Sequence, residues 1–375
     1  QRLAHNGVSA FLPSEHGALT MQQLSSFLRN PVKAFFRQRF SVIFADQKND
    51  DFDDEPFGVN HLERFLLIQD LLNARPSDLV PADVDRYVNR RLDQVRRAGR
   101  FPVKLLGAME QSELASDVQS ILKSLLIEQS RCGPVTHRRA MRYEYRGILL
   151  EDWLDHLREP GVNETDPDAG QSRTVDVISL MVVATQVCDR ISANESNQNR
   201  LPSVRAEKLL GAWITSIVAA VCDVRVCLVV VAQDAVLRIL PMPKETAQQT
   251  LDMLLSLWQK GMNQPLPLPL KTSIAFVQSV QKGATSRSSA VVAVYEGAGR
   301  YDGGDSIPGE VAEMCLSRQF PDYDALVACQ FEDLAQASYQ PLIDWVSRYV
   351  VAQTHARIHA AEGGKSTDTQ SGEQA

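Results

Sequence analysis

The chain has 375 residues, 44% of them apolar, enough for one large or two ordinary domains with a packed core. Its formal net charge is −7, from 46 acidic against 39 basic side chains, whereas a protein that grips nucleic acid alone and without sequence preference is usually basic. Any DNA contact must therefore be a local basic patch or be shared with other chains, and no apolar run reaches about 18 uncharged residues, so the sequence offers no helical membrane span.

Residues 1–19 read as a linker, and the opening Gln1-Arg2-Leu3, without Met, is expected of a piece of a longer polypeptide. Thr20–Phe40 has apolar residues at helical spacing, with Thr20 and Gln23 as a capping box and Asn30-Pro31 as an internal restart. Two helices in line, or one kinked helix, are predicted. Their aromatic face (Phe27, Phe35, Phe36) suits a core, and the other carries Arg29, Lys33 and Arg37 four residues apart. The acidic loop that follows, Asp46 to Glu55, lacks calcium-loop spacing and reads as solvated. Helices are predicted over 60–73, 81–97 and 109–131, with a break at 99–102.

The period then changes. Arg138–Leu150 and Glu151–Leu157 read as strands meeting near Arg146-Gly147. Thr174–Ile191 suits one long or two short buried strands between polar loops at 160–173 and 192–200. A helix over 202–221, a buried strand over 223–232 and a hairpin partner over 236–240 follow. The helix over 243–260 is expected to stop at Gly261, before the alternating prolines Pro265, Pro267 and Pro269. Helices from about 271 to 295, 309 to 318 and 323 to 359 complete the fold, and 361–375 is a polar tail expected to be disordered. Six cysteines without Cys-x-x-Cys pairing read as reduced thiols of a cytoplasmic protein.

Several motifs fail on spacing. Gly364-Lys365-Ser366 lacks the required glycine, with His359 in its place. His355 and His359 lie four apart without the glutamate of a zinc-protease helix, and read as a solvated helix face. One site class suits the order of elements: the metal-dependent nuclease fold, a helix, three strands, a helix and a strand, with carboxylates on Mg²⁺ and a nearby Lys. Asp155 could hold the first acid position. Asp176 and Asp189 are the options on the next strand, but no predicted strand contains Asp/Glu-x-Lys.

Four segments carry a family resemblance: the helix LxxFLRNPVKAFFRQR, the stretch DDEPFGVNHLERFLLIQDLL at 53–72, KGMNQPLPLPL at 260–270, and Tyr295-Glu296-Gly297 with the loop at Gly303-Gly304-Asp305. Together they resemble the C-terminal region of the RecC (gamma) chains of bacterial exodeoxyribonuclease V, the RecBCD helicase–nuclease. The resemblance implies an α/β, degenerate PD-(D/E)xK restriction-endonuclease-like (RecB-nuclease-like) core with helical additions. In that frame 20–135 is the helical front, and 136–360 the α/β core with C-terminal helices. It implies a noncatalytic DNA-guiding and scaffolding domain in recombinational double-strand-break repair, contacting RecB and RecD chains and single-stranded or forked DNA without sequence preference. No cofactor is expected in this region, since Mg²⁺ and ATP serve the partner chains, and Asp155 would be at most a relic. Lys33, Arg37, Arg96, Arg97, Arg138 and Arg139 are the candidate phosphate contacts. The competing readings are an active Mg²⁺-dependent nuclease and a pure protein-interaction module.

Overall fold

A computed structural model describes residues 11, 17–44, 61–102, 104–161, 175–189, 203–283, 288–298 and 307–360. The acidic loop at 46–55, the loop at 303–305 and the 361–375 tail lie outside the described residues.

The opening stretch folds as its caps dictate. α1 (Met21–Arg29) starts at a complete Thr20/Gln23 capping box, and α2 (Pro31–Phe40) restarts on Asn30, whose side-chain oxygen accepts from the Lys33 amide. Asp152 accepts from the Met21 amide at 2.8 Å, so the strand that carries it also caps α1. Ahead of α1, Leu19 forms a parallel bridge with Leu150 and Phe11 packs edge-on against Trp258. At these two positions the predicted linker belongs to the core, because each presents a large apolar side chain that burial stabilises.

Three helices follow: α3 (His61–Asn73), α4 (Val84–Arg97) and the 28-residue α5 (Lys104–Arg131). β1 (Arg139–Tyr145) and β2 (Ile148–Leu154) form an antiparallel hairpin, turning at Arg146 and Gly147, both with positive φ, as a two-residue turn between right-twisted strands requires. The first strand is shorter than predicted because this turn, once formed, fixes the register from Tyr145↔Ile148 outward. The second is interrupted. His156 has φ 56°, and the chain resumes as β3 (Leu157–Arg158), now paired with β4 (Val177–Val182) instead of β1. Asp155 therefore lies on the bend between two strands, not within one, because the chain changes pairing partner there.

α6 (Leu210–Val221) crosses from β4 to β5 (Val226–Val231), which runs parallel to β4; β6 (Val236–Ile239) returns antiparallel. α7 (Lys244–Asn263), α8 (Leu270–Gln281) and α9 (Ser289–Glu296) follow, then the short β7 (Gly297–Ala298) and β8 (Ile307–Pro308), α10 (Met314–Gln319), α11 (Tyr323–Val327) and α12 (Phe331–Tyr349). The helix predicted to run through 359 ends at Tyr349, and β9 (Val350–Gln353) completes the sheet in the order β3-β4-β5-β6-β9. Val350 and Val351 suit a strand, but only the free edge of β6 makes one there.

The sheet separates two cores. Val226, Leu228 and Val230 of β5 face α1, α6, α7, α8 and α12; Cys227, Val229 and Val231 face α3, α4 and α5. The predicted helical front is thus divided, with its first helices on one side of the sheet and α3 to α5 on the other. Gly261 does not end α7, which runs on to Asn263; the position is glycine because Phe27 of α1 packs directly on its backbone.

The solvated face suggested by the helical spacing is corrected at His355, which is buried, while His359 is half-buried. They lie on a final helical segment, α13 (355–360), and His355 is buried with Nε2 3.0 Å from the Ala232 carbonyl. Nε2 donates there, so Nδ1 accepts from the Ser124 hydroxyl at 2.7 Å, and that oxygen accepts from His359 Nε2 at 3.1 Å. Burial pushes both imidazoles below the usual histidine pKa, Lys123 adding to the effect at His359. The unfolded chain then binds protons that the native protein refuses. Stability is full above about pH 6.5 and falls as pH drops through the depressed native pKa values. Urea midpoints measured from pH 7.5 to pH 5 should decline, and His355→Asn should flatten that decline; an equal decline in the variant would assign it to other groups.

Candidate nucleic-acid interface

The acids do not assemble a metal site. Among the described residues no group of three or more His, Cys, Asp or Glu side chains is placed to hold a metal. Asp155 is exposed, and its contribution to the fold is its backbone carbonyl, which accepts from Ser179 Oγ at 3.2 Å. Asp176 is engaged by Arg225, whose Nη2 lies 2.6 Å from the carboxylate; these hydrogen bonds hold its pKa below the usual carboxylate range. Asp189 is exposed at the bridge that joins 188 to 204.

The six candidate cations are placed in three separate regions. Lys33 and Arg37 are exposed on α2. Arg96 and Arg97 close α4, on the other side of the sheet, where Arg96 lines a polar cleft of about 440 Å³ with Asn89, Gln111, Ser112 and Gln119. Arg97 is turned back onto its own helix, Nε donating to the Asp93 carbonyl at 3.2 Å. On the hairpin, the Arg138 guanidinium sits over the exposed Trp153 ring, 4.3 Å from its centroid. Arg139 lends its charge to the Asp176–Arg225 pair. With Arg96 and Arg97 on the other side of the sheet from the remaining four, the six do not make one lane.

The fold gathers a different set around α1 and α2. Lys208 closes a 3₁₀ turn, Ala206–Lys208, that packs against α8 and α12. Partial burial, and then the nearby positive charges of Arg205, Lys271 and Arg29, outweigh the Glu207 carboxylate and hold its ammonium below the usual lysine pKa. Four basic side chains from α1, the turn and α8 thus share one region. Lys33, exposed on the adjoining α2, lies close enough to Cys315 of α10 to act on its thiol, where burial dominates and raises the pKa.

Of the carboxylates in this region, Glu207 is ion-paired with Arg205 at 2.8 Å, and two others serve the backbone. Glu310 accepts from the Lys271 amide at 3.0 Å and from the Thr272 amide and hydroxyl at 2.7 Å each, capping the first turn of α8. Glu313 accepts from Asn30 Nδ2 at 2.6 Å, fixing the junction of α1 and α2. Both are spent on positioning helix starts, while Arg29, Lys33, Lys208 and Lys271 are exposed. Mutual repulsion among such cations is relieved by a polyanion, the general condition for a phosphate-tracking surface. In the sequence only the Arg29, Lys33, Arg37 stripe signalled this region; Arg205, Lys208 and Lys271 are isolated letters in three other segments.

The RecC C-terminal domain family matches residues 16–281, which covers α1 through α8 and the whole sheet except β9. The RecBCD enzyme subunit RecC of Escherichia coli (strain K12) is 26% identical over 142 residues, 38% of this chain and 12% of that protein's length. No helix among the described residues is long and apolar enough to cross a membrane. With most of its length matched by the family, sheet and basic helices included, this chain belongs to the RecC C-terminal domain family.

Proposed function

We propose that the domain is a noncatalytic scaffold that guides DNA strands within a RecBCD-type helicase–nuclease, on a degenerate nuclease-like core. The order α5, β1, β2/β3, β4, α6, β5, with β4 and β5 parallel and the flanking strands antiparallel, supports that core. Asp155 supports the noncatalytic reading, since it stands exposed on a bend while the next acid, Asp176, is bound to Arg225. The observation that carries the proposal is that Arg29, Lys208 and Lys271 are exposed and near one another where the 3₁₀ turn packs on α8, with Lys33 exposed on the adjoining α2, in a chain whose net charge is −7. Phosphates would be held by these side chains without base readout. RecB- and RecD-type chains would then move the strands past a rigid surface.

The test is the salt dependence of single-stranded DNA binding. The protein should bind a labelled oligonucleotide with an affinity that falls steeply with salt. Replacing Arg29, Lys33, Lys208 and Lys271 together by alanine should lower the slope of log K against log salt by about 3, at about 0.7 for each phosphate no longer neutralised. Fluorescence anisotropy from 50 to 200 mM salt measures it. An unchanged slope, or no binding by the unsubstituted protein, overturns the proposal. Arg96→Ala and Arg97→Ala, on the opposite side of the sheet, serve as the control that leaves the slope in place.

A further inference from the structure

The basic face ends in an aromatic cluster that phosphate binding does not use. At the close of α2, Phe35 packs edge-on against Phe36 and Phe40 with centroids 5.5 Å apart in each case, and Phe36 packs on Phe44 at 5.4 Å. Phe35 is buried at the base, while Phe40 is 45% exposed. Ser41 adopts φ 54°, and the Val42 amide donates back to the Phe36 carbonyl, so the chain reverses at once and holds Val42, Ile43 and Phe44 alongside. Ile43 is 76% exposed, which extends the apolar surface beyond the ring.

The border of this surface is cationic. Arg37 precedes Phe40 by three residues, and Lys33 lies one turn earlier on the same stripe, both exposed. From α10, the Arg318 guanidinium sits over Phe44, 5.5 Å from its centroid. A half-exposed ring costs hydration free energy that one further apolar face would recover. Aliphatic contact alone gives no reason for three cations around it. A strand of single-stranded nucleic acid satisfies both, offering a π face to the ring and phosphates to the cations.

We propose that Phe40, braced by Phe35 and Phe36 and bordered by Lys33, Arg37 and Arg318, is a platform on which an unpaired base of single-stranded DNA stacks at the end of the basic face. The assignment rests on the strand-guiding reading above and adds to it a contact made by the base. Any base suits such a platform, so the contact keeps the site without sequence preference.

An oligothymidylate and an abasic strand with the same number of phosphates separate the two terms. The protein should bind the base-bearing strand about tenfold or more tightly than the abasic one, the range expected for stacking on an aromatic side chain. Phe40→Ala should remove that preference and leave the abasic affinity and its salt slope unchanged, and Phe40→Trp should restore it. Lys208→Ala with Lys271→Ala should weaken both strands alike. If the protein binds both strands equally, or Phe40→Ala keeps the preference, the platform is wrong and the basic face stands. If Phe40→Ala keeps the preference and instead releases a RecB- or RecD-type chain, the ridge is a protein contact and the platform is overturned. If neither strand binds, the guiding reading falls and the platform with it.

Discussion

Glu128→Ala should lower the unfolding free energy by about 3–5 kcal/mol, the usual loss when one partner of a buried ion pair is removed. Glu128 is 0% exposed on α5, its carboxylate accepting from Arg131 of the same helix at 2.7 Å and from Arg238 of β6. The two guanidinium groups are each about a quarter exposed. The carboxylate therefore ties the layer of α3, α4 and α5 to the sheet. Truncating it removes a buried acceptor that the two guanidinium groups share and breaks the tie between α5 and β6. Since a native domain is stable by about 5–15 kcal/mol, the effect is a large fraction of the whole. Urea unfolding should show a lower midpoint. Replacing Glu128 and Arg238 together by apolar residues should lose much less than the sum of the single changes, which identifies the pair as the cause. A loss below about 1 kcal/mol for Glu128→Ala would mean that the helical layer is held by packing alone.

Gly261→Val should overpack the other core, at about 3 kcal/mol, near the top of the range for such changes. A Cβ at this position would lie 2.4 Å from Phe27 Cε2 and 2.5 Å from Cζ, closer than carbon atoms approach. Phe27 is itself 1% exposed, and it sits on α1, whose C-terminal residue is Arg29. The added side chain must push α1 away from α7, so the substitution should also reduce the salt slope of DNA binding through a residue far from any phosphate. Phe27→Ala alone opens a cavity and should lose about 3–5 kcal/mol. In the Gly261→Val background the same change should lose distinctly less, because the new methyl groups occupy the vacated space. A double-mutant cycle measures that coupling, and strict additivity would refute the contact as the reason for the glycine.

Gly261 also shows where a letter pattern misleads. A glycine after a clean amphipathic run reads as a helix stop, yet α7 runs on to Asn263, and the glycine answers to a ring contributed from more than 230 positions away. The two histidines are a similar case. Spacing placed them on one helix face, which is right, but Ser124 of α5 and the Ala232 carbonyl decide that the face is buried. Asp155 was placed correctly in the chain and wrongly within a strand, because His156 turns the backbone so that β3 can leave β1 and pair with β4. For the cations, regular spacing found Lys33 and Arg37 but gave no means of joining them to Lys208 or Lys271, and it grouped with them Arg96 and Arg97 from the far layer.

By itself the sequence determined the local structure of the opening stretch. Thr20, Gln23, Asn30 and Pro31 set both helix starts through hydrogen bonds that span three residues, and these formed as the letters require. It also determined the hairpin turn at Arg146-Gly147 and the buried character of β5, each settled by a dipeptide or by an unbroken apolar run. Only the tertiary structure decided the sheet's edge at β9, the glycine under Phe27, the burial of Glu128 and the nearness of Arg29 and Lys271 to Lys208. Each depends on a partner distant in the chain, and side-chain burial and charge proximity are properties of that partner's position that no local pattern encodes.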